Sequence, residues 1–238
     1  MKNQKKIVLY FYSIIIACIF SPILSFAQSD NITEKILTSI GGKTKWDNTR
    51  YLMFTVTGES NQNAITGDRK FLLDKKSGDI RFEGTLNKEN IVVLFNKNNA
   101  TIKKVYDQQG TELPKEKYKD QARTLIDQYT TDLKILSLPA SITGATLNTK
   151  SESKIINAEK LQMLEFSNFN GTNGNIYVNQ EGLIKQIDLN NKSYAVNGYK
   201  DIGNGLIFPT VFKSVSDSIV YQQVASFIDM ELNKLEEF

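Results

Sequence analysis

Residues Ile40–Gly58 read IGGKTKWDNTRYLMFTVTG, and within them the hydrophobic period changes. Upstream, Ile32, Ile36, Leu37 and Ile40 fall at i, i+4, i+5 and i+8, one face of a helix that Ser29 or Asn31 can cap. Gly41-Gly42 follows the last apolar position, where glycine ends helices. Lys43 to Asn48 reads as one more helical turn with Trp46, the only tryptophan, facing inward. Then the period becomes two: Leu52, Phe54 and Val56 point one way, and Tyr51, Met53 and Thr55 the other. The expectation is a sheet that wraps back over the helix before it.

Downstream, Arg69, Phe71 and Leu73 alternate with Lys70, Leu72 and Asp74, and after the turn at Lys75–Gly78 the alternation resumes at Ile80 and Phe82. Ile91 to Phe95 is unbroken and apolar, as in a strand buried on both faces. Thr101 to Asp107 gives one more strand. After Pro114, Tyr118, Ala122, Leu125, Ile126, Tyr129, Leu133 and Leu136 make a single apolar stripe with a polar back, a helix lying on a sheet and ending at Leu138-Pro139. Strands are then expected at 145–150, 161–169, 175–179, 183–190, 194–199, 206–215 and 219–232, separated by Asn- and Gly-containing turns. The fold class is α+β: a strongly curved antiparallel sheet, a half-barrel of about 9–11 strands, closed by the N-terminal helix and one central helix. No linker or repeat divides it.

The front of the chain has another role. Lys2, Lys5 and Lys6, the apolar run Ile7 to Phe20, and Ser25-Phe26-Ala27 form the three regions of a secretory signal peptide. Residues 1–27 are therefore expected to be removed, leaving 28–238 as one domain. Two alternatives stay open: an uncleaved anchor, and a lipidated Cys18 in the box-like Ile15-Ile16-Ala17-Cys18. Without residues 1–27 the chain holds 26 cations against 26 carboxylates, so no basic field argues for nucleic acid. Cys18 is the only cysteine and histidine is absent. That excludes a disulfide framework, Ser-His-Asp and Cys-His catalysis, and histidine-based zinc or haem sites. A carboxylate-only calcium site and a carboxylate-pair hydrolase survive the exclusion. No cofactor is expected.

Two separated signatures carry a family likeness. One is the helix, Gly41-Gly42, Trp46 and first strand. The other is Asn175 to Gln186 (NIYVNQEGLIKQ) followed by Tyr199 to Thr210 (YKDIGNGLIFPT). In this order they resemble exported Bacteroidetes-type proteins related to the periplasmic lipoprotein carrier and outer-membrane lipoprotein-sorting (LolA-like) family. The resemblance implies an apolar cavity between half-barrel and helices that receives acyl chains. It also implies a gating arginine, for which Arg50, Arg69 and Arg81 are candidates by strand position. Cavity residues on this reading are Phe54, Phe71, Phe82, Leu94, Leu125, Tyr129, Phe166 and Ile187. The same alternation also fits a packed core.

Other motifs are weaker. Ser151-Glu-Ser-Lys154 matches S-x-x-K, but its K-T-G companion is absent and its only S-D-N, Ser29-Asp30-Asn31, comes before it. Gly203-Asn-Gly205 lacks the third glycine of a dinucleotide loop. The reading is a periplasmic, non-enzymatic protein that carries or senses a lipid or lipoprotein acyl chain, with an envelope protein as a further partner. The alternatives are an envelope structural or interaction module with a filled core and, behind it, the carboxylate-pair hydrolase.

Overall fold

A computed structural model describes residues 32–142, 146–169, 172–189 and 191–236. The signal region, Cys18 and the caps at Ser29 and Asn31 lie outside them. Helix α1 (32–39) ends at the double glycine, and α2 (Lys43–Asn48) follows directly. Five strands then run as a meander: β1 (Tyr51–Thr57), β2 (Ile65–Asp74), β3 (Asp79–Leu86), β4 (Glu89–Asn96) and β5 (Thr101–Asp107). Two short 3₁₀ turns lead into α3 (Ala122–Leu136) and α4 (Leu138–Ser141). A second meander comprises β6 (Thr146–Ile156), β7 (Glu159–Phe169), β8 (Thr172–Val178), β9 (Ile184–Leu189) and β10 (Lys192–Asn197). After it come the small ribbon β11 (Lys200–Asp201) and β12 (Ile207–Phe208), then β13 (Val211–Lys213) and β14 (Ser218–Phe227).

Twelve strands form one antiparallel sheet in the order β5-β4-β3-β2-β1-β14-β13-β10-β9-β8-β7-β6. The last strand, β14, pairs with the first, β1, and so joins the two meanders near the centre of the sheet. The sheet does not close: β5 and β6 remain its two edges. The β5 edge is covered by its own chain, since Leu113 N–H donates to Val105 C=O at 2.8 Å and Asp107 N–H to Thr111 C=O at 3.0 Å.

Alternation along β1 sorts the core. Leu52, Phe54 and Val56 join the main apolar cluster with Phe71, Phe82, Val93 and Phe95 and with Leu125, Tyr129 and Leu136 of α3. Tyr51 turns to the opposite face, where it packs with Leu72 and Leu235, the latter from the C-terminal 3₁₀ turn (Leu232–Leu235). In β4 both faces are buried, as the unbroken apolar run requires. Trp46 meets Phe208 edge to face, its ring centre 5.2 Å away.

Three features differ from the sequence expectation. The strand expected over 206–215 is split into β12 and β13, because Pro209 has no N–H to give to a ladder. The strand expected over 219–232 stops at Phe227; residues 228–231 are irregular and a 3₁₀ turn begins at Leu232. There are fourteen strands among the described residues rather than about 9–11. Part of the excess is the β11–β12 ribbon. The β6–β7 hairpin is also longer than expected, because its turn residues Asn157 and Ala158 both take positive φ (50° and 63°) without a glycine to mark them. Ser151-Glu-Ser-Lys154 lies within β6, not at a helix start, so it lacks the setting of an S-x-x-K nucleophile.

Candidate functional site

Helix α3 divides the apolar layer unequally. On the β1–β3 side, large rings fill the space. Phe54 lies 5.5 Å from Phe71, Phe71 lies 5.4 Å from Phe82, and Tyr129 sits against both Phe54 (6.4 Å, stacked) and Phe71 (5.6 Å, edge). On the other side a cavity of about 340 Å³ remains. Its apolar wall is Ile135 and Leu138 from the helices and Ile187, Leu189, Phe212 and Ile219 from β9, β13 and β14. Glu59, Ser60 and Asn61 of the β1–β2 loop, with Lys134, Lys192, Tyr194 and Asp217, supply its polar atoms. The volume falls at the small end of ligand cavities, ~300–1,000 Å³.

A buried polar network holds the helix at this boundary. Arg69 of β2 is 1 % exposed and grips Asp132 of α3 with both arms, Nε to Oδ2 at 2.6 Å and Nη2 to Oδ1 at 2.7 Å. Its Nη1 donates to Gly58 C=O at 3.0 Å, so one guanidinium ties both the helix and the loop to the sheet. Gln128, one turn before Asp132, donates its Nε2 to that carboxylate at 3.0 Å. Its Oε1 accepts from Ser60 Oγ at 2.6 Å and Asn61 N–H at 3.0 Å. Tyr221 of β14 donates its hydroxyl to Asp132 C=O at 2.6 Å. Burial and the adjacent Asp132 carboxylate push the Tyr221 phenol up, so it stays a donor.

The rim charges are held by partners. Asp217 accepts from Lys192 Nζ at 2.7 Å and from Ser214 Oγ, and these two bonds pull its carboxyl below the ordinary range. Burial lowers the Lys134 ammonium, which donates to Thr172 Oγ1 at 3.0 Å. A general acid for glycoside hydrolysis needs a raised carboxyl, and Asp217 is shifted the opposite way.

Of the eight residues singled out from the sequence, Ile187 lines this cavity. Phe54, Phe71, Phe82, Leu125, Tyr129 and Phe166 are together in the main core, all buried by their neighbours. Leu94 is buried on the opposite face, facing away from α3. Of the three arginines, Arg50 makes a two-armed pair with Asp74, Arg81 pairs with Glu83, and only Arg69 reaches the helix. Leu138, Leu189, Phe212 and Ile219 went unnoticed as cavity residues. For Leu138 the signal was a second stripe running from α3 into α4, Thr131, Lys134, Ile135 and Leu138 at i, i+3, i+4 and i+7, which the dominant stripe concealed; Leu189, Phe212 and Ile219 carried only the alternation of their strands. No helix among the described residues is long and apolar enough to cross a membrane.

No family model matches the chain, and no curated protein does. Among solved structures, a DUF1329 family protein from Desulfovibrio piger aligns at 10% identity and a TM-score of 0.44, covering 87% of this chain and 96% of that one. A domain named for outer membrane lipoprotein sorting, from Vibrio parahaemolyticus, aligns at 6% identity and 0.37, covering 81% and 93%. The lipoprotein LppX of Mycobacterium tuberculosis aligns at 9% identity and 0.32, covering 85% and 99%. At these TM-scores the likeness is one of general arrangement, and it assigns no ligand or partner to this chain.

Proposed function

We propose that the chain is an exported, non-enzymatic protein that binds one acyl chain in the cavity beside α3, the open sheet acting as a half-barrel around it. The observation that carries this is the contrast across the helix: one side packed with aromatic rings, the other left with about 340 Å³ bounded largely by Ile135, Leu138, Ile187, Leu189, Phe212 and Ile219. Interiors normally close such spaces, because each lost contact costs dispersion energy. With a water's share of volume at about 30 Å³, the cavity takes on the order of ten water-sized groups, the scale of one medium acyl chain. Arg69 is the residue by which the helix would be held or released. An envelope protein that delivers or receives the lipid is the partner this role requires.

The test is titration with a fluorescent fatty acid of the wild type and of Ile187→Trp, whose larger ring fills the cavity. Binding by the wild type, lost in the variant, is the expected outcome. Equal binding by both, or none by either, would refute the cavity as a lipid site. Export is tested separately: N-terminal sequencing of the protein from its native host should begin at Gln28, and a lipidated start at Cys18 would place it on a membrane instead.

A further inference from the structure

Among the described residues, the charged side chains lining the cavity beside α3 are Glu59, Asp132, Lys134, Lys192 and Asp217. Asp132 is matched by Arg69, and Asp217 by Lys192 at 2.7 Å. Glu59 and Lys134 stand in different surroundings. Glu59 is exposed on the β1–β2 loop, and its field reaches Lys192. Lys134 is half-buried on α3, and its ammonium donates to a neutral hydroxyl, Thr172 Oγ1, at 3.0 Å. Burial takes solvation from that ammonium and lowers it from the ordinary lysine value. An ammonium carries three N–H donors, so Lys134 can keep Thr172 while it meets a ligand.

These surroundings narrow the headgroup. Lys134 borders the same space as Ile135 and Leu138, so the polar end of a chain lying on those two can meet its ammonium inside the cavity. A carboxylate there would offset the solvation that burial removes, in a place partly shielded from water, where a charge pair is stronger than in bulk solvent. A cationic head on Glu59 would instead make an exposed pair, which is worth little. A phosphate head would set about two negative charges against one ammonium, with Glu59 and Asp217 lining the same space. An uncharged head would gain a hydrogen bond and no charge pairing.

Resting on the acyl-chain reading above, we infer that the ligand is a single-chain carboxylate, a free fatty acid of medium length, whose headgroup pairs with Lys134 in the cavity wall.

The experiment is calorimetric titration of the full chain at neutral pH with probes of equal chain length, each below the concentration at which it aggregates: decanoate, decanol, decylamine and decyl phosphate. The wild type is expected to bind decanoate about tenfold tighter than decanol or decylamine, and several-fold tighter than decyl phosphate. Lys134→Met keeps an apolar stem and removes the charge; it should bring decanoate down to the level of decanol while leaving decanol within about twofold of its wild-type affinity. Lys134→Arg should retain most of the preference for decanoate. Decanol bound as tightly as decanoate by the wild type, or decanoate binding unchanged in Lys134→Met, overturns the headgroup assignment. So does tighter binding of decylamine or decyl phosphate than of decanoate. In each of these cases the acyl-chain reading stands if Ile187→Trp still abolishes binding. Binding of no probe at all overturns both. The comparison of decanoate with decanol is made in the wild type, so it decides the matter even if a variant fails to fold.

Discussion

Asp132→Asn should be among the most damaging isosteric changes in this protein. It removes one negative charge and almost no volume, so its cost measures the Arg69 pair rather than packing. Arg69 and Asp132 are 1% and 3% exposed, and neither charge has water to turn to. Removing one partner of a buried pair costs roughly 3–5 kcal/mol, chiefly from the cation left behind. Here the loss should fall near the lower end, about 3 kcal/mol, because the introduced amide retains one oxygen for the guanidinium and Gly58 C=O still accepts from Nη1. Against a total of about 5–15 kcal/mol that is a large fraction. The companion is Arg69→Met with Asp132→Leu, which removes both charges. Its loss should be well below the sum of the losses from Arg69→Met and Asp132→Leu made singly, because no unpaired charge remains. It should not vanish, since Gln128 Nε2 and the Gly58 carbonyl lose a partner. Urea unfolding, with the slope checked for constancy, measures each variant beside the wild type. A cost under about 1 kcal/mol for Asp132→Asn would refute the argument, as would single losses that simply add in the double variant.

Three other outcomes are expected. The Tyr129 hydroxyl is buried without a hydrogen-bond partner, so Tyr129→Phe should be neutral or stabilising by about 1 kcal/mol in urea unfolding; a clear loss would show that the hydroxyl is bonded in solution. Gly42→Ala should cost about 1–3 kcal/mol from its φ of +97° alone, with open space around it, whereas Gly41→Ala should cost more, because its Cβ would fall 2.1 Å from Gly205 C=O; equal melting temperatures for the two would contradict this. Burial works to raise the Asp74 carboxyl, but its bonds from Arg50 and the Lys76 N–H prevail and lower it from the ordinary 3.8. A depressed acid gives stability that is present above 3.8 and lost as pH falls through the folded value, so the stability of Asp74→Asn should decline less steeply than wild type between about pH 4 and pH 2.

Much of the architecture was legible because period is a local property. The switch at Ile40–Gly58 from helix to strand, the two-sided burial of β4 and the single stripe of α3 all follow from which residue types recur at which spacing. What was illegible depends on partners far apart in sequence. Arg69 looked like any strand arginine until Asp132, 63 residues later, appeared opposite it. Leu125 read equally well as cavity or core, and the difference lies in Phe54, Phe71 and Tyr129 having already filled its side of the helix. The pairing of β14 with β1 leaves no trace in either strand's alternation, since any β-strand edge accepts another.

That long-range pairing also accounts for where the empty space lies. In the first meander, Phe54, Phe71 and Phe82 stand side by side on neighbouring strands, and their rings reach α3 without gaps. Beyond β14 the inward positions come from β13, only three residues long, and from β10, which pairs with it over three positions. Few large side chains can be supplied there. The facing stripe of α3 is also thinner, Thr131, Lys134 and Ile135 in place of Leu125 and Tyr129. The helix is therefore held by Arg69 on one side and less fully packed on the side that faces β9 and β13. On the acyl-chain reading proposed above, a ligand chain seated there would supply the contacts that the short strands leave unmade.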